Sequence, residues 1–133
     1  MKDWKDEYNH IQERKLKLEK SKNKIIKEYN NRIDKINQYI KVLEKSKIKK
    51  HDNVETKIYK LYMQLDNVTS VANKINNMDY RISTNSKKGK RKYTTNDITY
   101  VITNKEAIVE KELKEVVQEI QKINYGKQGK RWF

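Results

Sequence analysis

The stretch VETKIYKLYMQLDNVTSVANKIN, residues 54–76, decides the fold of this chain. Apolar side chains fall at Val54, Ile58, Leu61, Tyr62 and Leu65, then at Val68, Val71, Ala72 and Ile75, which is the three-and-four spacing of two short amphipathic helices. Only Asp66 and Asn67 separate the two runs. A join that short does not let the second helix run back along the first, so the pair is expected to cross steeply, as in a helix-turn-helix. Such a unit is chiefly a reader of nucleic acid.

The composition around this stretch sets limits. Of 133 residues, 38% are charged and 35% hydrophobic, with a mean hydropathy of −1.16, which leaves material for a small core and long solvated helices. Three glycines and no proline provide little of the turn punctuation a sheet-rich fold needs, so the expected class is mostly α. No apolar run approaches the length of a membrane span, and the first residues carry no signal-peptide core. With no cysteine there are no disulfides or thiolate metal sites, and a cytoplasmic, nucleoid-associated location is expected.

The net charge of +14 points to a polyanion as partner, and nucleic acid fits better than an anionic membrane because no basic helix carries a bulky apolar face; RNA is disfavoured because no aromatic stacking motif is visible. The charge is unevenly spread. Lys and Arg outnumber Asp and Glu by 16 to 8 over residues 1–50, stand at 3 to 4 over 51–80, 6 to 1 over 81–103 and 7 to 5 over 104–133. The densest basic run, Arg81, Lys87, Lys88, Lys90, Arg91 and Lys92, therefore directly follows the nearly neutral helical pair. The plain alternative is a solvated basic loop.

Residues 3–48 read as one long helix. Positions alternately four and three apart, from Trp4, Tyr8 and Ile11 through Leu18, Ile25 and Tyr29 to Ile36, Tyr39 and Leu43, form a coiled-coil seam that Lys15, Lys22 and Arg32 interrupt. Ile33 and Ile40 lie beside it. A stripe of this length requires a partner helix, and Leu18, Ile25, Tyr29, Ile36 and Leu43 are the expected homodimerisation residues. Asp52 or Asn53 is placed to cap the next helix after a hinge near Lys50. His10 and His51 are too isolated for a metal site.

The strings IYKLYMQLDNVTSVANKINNMDYRI (58–82) and GKRKYTTNDITYVITN (89–104) resemble the DNA-binding "recombinase" region of large serine recombinases. The resemblance rests on Ile58, Leu61 and Tyr62; on Val71, Ala72, Ile75 and Asn76; on Tyr80, Gly89, Lys90 and Tyr93; and on Ile98, Val101, Ile102 and Asn104. It covers about 50 residues and departs at Asp79, where the family prefers Gly, and at Tyr93, where it prefers Trp. Asp tolerates the left-handed backbone better than most residues. The resemblance implies duplex DNA binding without recombinase catalysis, because residues 1–50 hold a Lys-rich helix where the catalytic domain would stand.

Independently, no nucleophile, base and orienting acid share a recognisable spacing, so no enzyme, no cofactor, no metal and no small-molecule substrate are expected. Glu106, Glu110, Glu112, Glu115 and Glu119 read as the solvated face of a helix.

Thr94 and Asp97 stand in capping-box spacing, which places a third helix with Ile98, Val101 and Ile102 inward. Asn96, Thr99, Tyr100 and Thr103 then face out as candidate contacts to bases, while Arg81, Lys87, Lys88, Lys90, Arg91 and Lys92 are candidate contacts to phosphates. The β-branched run Ile98 to Thr103 also allows KRKY and ITYVIT to form the two strands of a wing. A second capping signature at Thr103 to Glu106 opens a C-terminal packing helix, residues 105–125, with a stripe from Ile108 to Ile123 and Gly126 as terminator. Residues 126–133 form a basic tail.

The domains expected are thus 1–50 for dimerisation or interaction, 51–104 as the helix-turn-helix, 105–125 for packing, and the tail. The expected function is that of a dimeric, sequence-specific or semi-specific DNA-binding protein, a transcriptional regulator or DNA-organising accessory of a phage, plasmid or other mobile element. The Asn, Lys, Ile and Tyr bias points to an AT-rich bacterial or phage source. The competing class is a coiled-coil adaptor or inhibitor that binds an acidic protein.

Overall fold

The computed structural model describes residues 4–85, 87 and 89–126. Lys88 and the tail beyond Gly126 lie outside the described residues. The chain is mostly α: helix α1 is Trp4–Glu44, α2 Val54–Leu65 and α3 Val68–Asn77. Strands β1, Ile82–Ser83, and β2, Lys90–Arg91, follow, then α4, Thr95–Thr103, and α5, Lys111–Asn124. Among the described residues, no helix is long and apolar enough to cross a membrane.

Two units divide the chain after Asn37, within α1. In the first, α1 is a single helix with Asp6 and Glu7 in its opening turn, where carboxylates favour the positive end of the helix dipole. Most of its apolar side chains stay in solvent; Trp4, Ile11, Leu18, Ile25 and Tyr29 are each more than half exposed, and Ile36 is half-buried.

The second unit holds the core. Ile58 and Tyr59 of α2, Val71 and Ile75 of α3, Ile98 and Ile102 of α4 and Val117 of α5 are all at 0% exposure. Burying each such side chain contributes roughly 1.5–3 kcal/mol. α2 touches α3, α4 and α5, and α4 packs on both α3 and α5. The last turns of α1 join this core through Tyr39 and Val42. Tyr39 is therefore not a seam residue; its hydroxyl donates to Glu119 Oε1 at 2.6 Å, and burial together with that carboxylate pushes its phenol above the ordinary range.

The helix boundaries have local causes. α1 stops at Glu44 rather than near residue 48, because the amides of Lys45 and Ser46 close the last turn and the Ser46 hydroxyl donates to Val42 O at 2.6 Å. Asn53, not Asp52, caps α2 by accepting from Thr56 N at 2.7 Å. Asp52 instead accepts from Lys60 Nζ at 2.7 Å, which gives the buried ammonium its counter-ion. Asn67 caps α3 by accepting from Ser70 N at 2.9 Å.

Asp79 ends α3 at φ +67°, with its own amide on Asn76 O and the Tyr80 amide on Ile75 O. This is the paired hydrogen-bond closure that Gly usually makes, so the left-handed tolerance expected of Asp79 is used.

The C-terminal helix departs from expectation: it starts at Lys111, not at residue 105. The Asn104 side chain accepts from Glu106 N at 3.0 Å, which makes a local turn instead of a helix start. The connection is then pinned to the start of α2, because Ile108 N donates to Glu55 Oε2 at 2.7 Å and Asn53 Nδ2 donates to Ile108 O at 3.0 Å. Ile108 is consequently 74% exposed rather than part of the packing stripe. Glu106 and Glu110 precede the helix, and Glu119 accepts from Tyr39, so these carboxylates are not one solvated helix face. Gly126, at φ +71°, terminates α5 as its position implied.

Candidate nucleic-acid interface

Strands β1 and β2 form a short hairpin that leads into α4, a helix whose outer face is polar. β1 and β2 pair antiparallel, Ile82 with Arg91 and Ser83 with Lys90. The turn closes where Thr84 N donates to Gly89 O at 2.8 Å, with Gly89 at φ +69°, a backbone region glycine enters without a Cβ penalty. The strand partner of Lys90–Arg91 is thus Ile82–Ser83, and the ITYVIT segment lies within α4.

Three sets of contacts fix where α4 begins. Asn76, at the end of α3, grips the backbone of Tyr93 from both sides: its Nδ2 donates to Tyr93 O at 3.0 Å and its Oδ1 accepts from Tyr93 N at 2.8 Å. Thr94 and Asp97 complete the capping box foreseen in their spacing, with Thr94 N donating to Asp97 Oδ2 at 2.7 Å and Asp97 N to Thr94 Oγ1 at 3.3 Å. Arg91 then closes on the same carboxylate with both terminal nitrogens, Nη1 to Oδ2 at 2.6 Å and Nη2 to Oδ1 at 2.8 Å. A planar fork of this kind holds geometry as well as charge.

The Arg91 guanidinium, against the opposing effect of partial burial and with help from Thr94, holds the Asp97 carboxyl well below the usual carboxylate range. Because the native pKa is depressed, the stabilisation is complete above the ordinary carboxylate pKa and fades as pH falls below about 4. Asp97→Asn is expected to cost about 1 kcal/mol at neutral pH. Thermal unfolding of the two proteins checks this: the gap in melting temperature narrows on acidification, and a gap that widens contradicts the assignment.

The inner face of α4 is held from below. Ile98 and Ile102 are fully buried, and Tyr59 Oη donates to Val101 O at 2.8 Å. Burial pushes the Tyr59 phenol up. Gln118 Nε2 donates both to Tyr59 Oη at 3.1 Å and to Asn104 O at 3.1 Å, which binds the end of α4 to α5.

The outer face carries Asn96, Tyr100 and Thr103, all exposed, with Tyr100 at 70%. Thr99 is half-buried, and the Thr103 hydroxyl donates to Thr99 O at 2.7 Å, which leaves its lone pairs to accept.

The basic residues separate into two roles. Lys87, Lys90 and Lys92 are exposed. Arg91 is committed to Asp97, and Arg81 Nη1 donates to Asn76 O at 3.0 Å and Tyr80 O at 2.7 Å, so both arginines stabilise the path of the chain. Lys57, not singled out in the sequence, is buried with its ammonium 4.9 Å from the Tyr80 ring centre and donating to the Tyr80 hydroxyl. Its position between Val54 and Ile58 on the apolar helix was the one available signal. His10 and His51 are exposed, and among the described residues no cluster of three or more His, Asp or Glu is placed to hold a metal ion.

Comparison of the chain with protein-family profiles, with curated proteins and with solved structures found no match.

Proposed function

We propose that the chain binds duplex DNA through the hairpin and α4, with Lys87, Lys90 and Lys92, joined by Lys88, meeting phosphates and Asn96, Thr99, Tyr100 and Thr103 meeting base edges. The observation that carries this reading is the rigid start of α4: Asn76, Arg91 and Thr94 immobilise a helix whose polar face projects directly after a basic hairpin. Preorganised polar groups on a fixed helix suit readout in the major groove, and long cationic side chains suit a phosphate backbone. The resemblance to the "recombinase" region of large serine recombinases supports the same assignment. The exposed stripe on α1 supports a homodimer, and dimers read paired half-sites. The biological role in keeping with this is a transcriptional regulator or DNA-organising accessory of a mobile element, acting at the nucleoid without cofactor or catalysis.

A titration on preferred and random duplexes tests the division of labour. Asn96 is of the type that bonds an adenine edge bidentately, Oδ1 accepting from the adenine amino group and Nδ2 donating to the ring nitrogen. Asn96→Ala is expected to cost roughly 1–3 kcal/mol on the preferred duplex and little on random DNA, whereas Lys90→Ala weakens both alike. Equal losses on both duplexes for Asn96→Ala would remove it from the reading surface.

The same α1 stripe favours a second reading, an adaptor or inhibitor that binds an acidic protein. Filter binding to duplex DNA at moderate salt separates the two, because the adaptor retains none.

A further inference from the structure

We infer that residues 4–36 of α1 pair with the same segment of a second copy in antiparallel orientation, with Leu18 of one copy level with Lys22 of the other. This deepens the homodimeric reading above and does not depend on DNA binding. The first observation is that the stripe is uncovered: Trp4 is 71% exposed, Ile11 63%, Leu18 54% and Tyr29 58%. A second copy is the occupant because the charges of this helix complement those of its own reversed image.

Three cations stand in the seam, Lys15, Lys22 and Arg32. In a parallel pair each of them faces its own copy, which stacks three like-charged layers in the least hydrated part of the interface. In the antiparallel register no cation faces a cation. Lys22 lies across from Leu18 of the second copy and Lys15 across from Ile25, so their aliphatic stems cover apolar surface while the ammonium groups reach water. Arg32 lies across from Tyr8, and it already leans on an aromatic face in its own helix, with the guanidinium 5.6 Å from the Tyr29 ring centre. Tyr29 then meets Ile11, and Ile36 meets Trp4.

The flanking positions agree with the same register. Arg14 lies beside Glu28 of the second copy and Glu7 beside Lys35, and each pair occurs twice by symmetry. Ser21 meets itself at the twofold axis. Glu19 also meets itself, on the opposite flank, with Lys15 and Lys22 one turn away on its own helix to screen it. Shifting the antiparallel register by one heptad toward longer overlap sets Lys15 against Arg32 in the seam and Arg14 against Lys35 on the flank. The opposite shift sets Glu7 against Glu28 twice by symmetry, against the one Glu19 self-contact, so of the three registers the proposed one carries the fewest like-charge contacts in seam and flanks together.

The native chain has no cysteine, so introduced ones report without interference. Full-length Leu18→Cys and Lys22→Cys proteins, mixed and oxidised in a glutathione buffer, are expected to give the mixed disulfide in preference to either homodisulfide. Predominance of the Leu18→Cys homodisulfide would show a parallel pair and overturn the inference. A monomer in sedimentation of the wild-type chain at tens of micromolar would overturn it as well.

A charge exchange gives a second readout. Arg14→Glu is expected to weaken the dimer about tenfold, and adding Glu28→Arg restores it. A double variant no tighter than the single one contradicts the register. Sedimentation and disulfide exchange are carried out without DNA, so a failure of DNA binding leaves these outcomes unaffected.

Discussion

Replacing Lys87, Lys90 and Lys92 together by Glu is expected to abolish retention of duplex DNA at about 100 mM salt while leaving helical content unchanged. All three side chains are exposed, so the substitution removes cations from the proposed phosphate contacts without opening the core. Each exchange replaces an attractive charge by a repulsive one. Taking about 1 kcal/mol for each contact reversed, the loss is at least about a hundredfold in affinity. Arg91 is deliberately kept, because its bidentate pair with Asp97 anchors α4, and its loss would confound binding with folding. Filter binding and far-ultraviolet circular dichroism on one sample check both halves. Undiminished retention by the triple variant would place the DNA surface elsewhere.

Ile98→Ala is expected to destabilise the helical core by about 2–5 kcal/mol. Ile98 sits at 0% exposure on α4, which packs on α2, α3 and α5, so the deletion leaves a cavity where several helices meet and no single one of them can close it. That is a large share of the stability of a domain this small. Urea unfolding measures it, with the midpoint falling and the slope preserved. A change below about 1 kcal/mol would mean that α4 is not seated as described, and would leave the polar face of α4 without its rigid support.

The core of this unit was legible in the sequence where one rule acted alone. The spacing from Val54 to Ile75 fixed α2 and α3, and the Thr94 and Asp97 signature fixed the start of α4. The ITYVIT run could be read two ways because β-branched residues favour strands. Burial of Ile98 and Ile102 against three helices outweighs that preference, which amounts to about 1 kcal/mol at most.

The start of α5 was misread for a related reason. The capping signature at Thr103 to Glu106 is real, but Asn104 spends its side chain on a turn, and contacts from Asn53 and Glu55, some fifty residues earlier, hold Ile108 outside the helix. No local pattern encodes such a partner. The same holds for the basic run: composition marks it as cationic, whereas only the fold separates Arg81 and Arg91, which hold the chain, from Lys87, Lys90 and Lys92, which face solvent. Tyr59 likewise stands outside the stripe that spacing picks out, yet it is fully buried and supports α4 from below.

The measurement that tests the central proposal most directly is the salt dependence of duplex binding by the wild-type chain. If Lys87, Lys90 and Lys92 each neutralise one phosphate, the logarithm of the binding constant falls against the logarithm of salt concentration with a slope of about −3 or steeper per protomer. A flat line, or no binding to duplex at any salt concentration, would contradict DNA recognition by this surface.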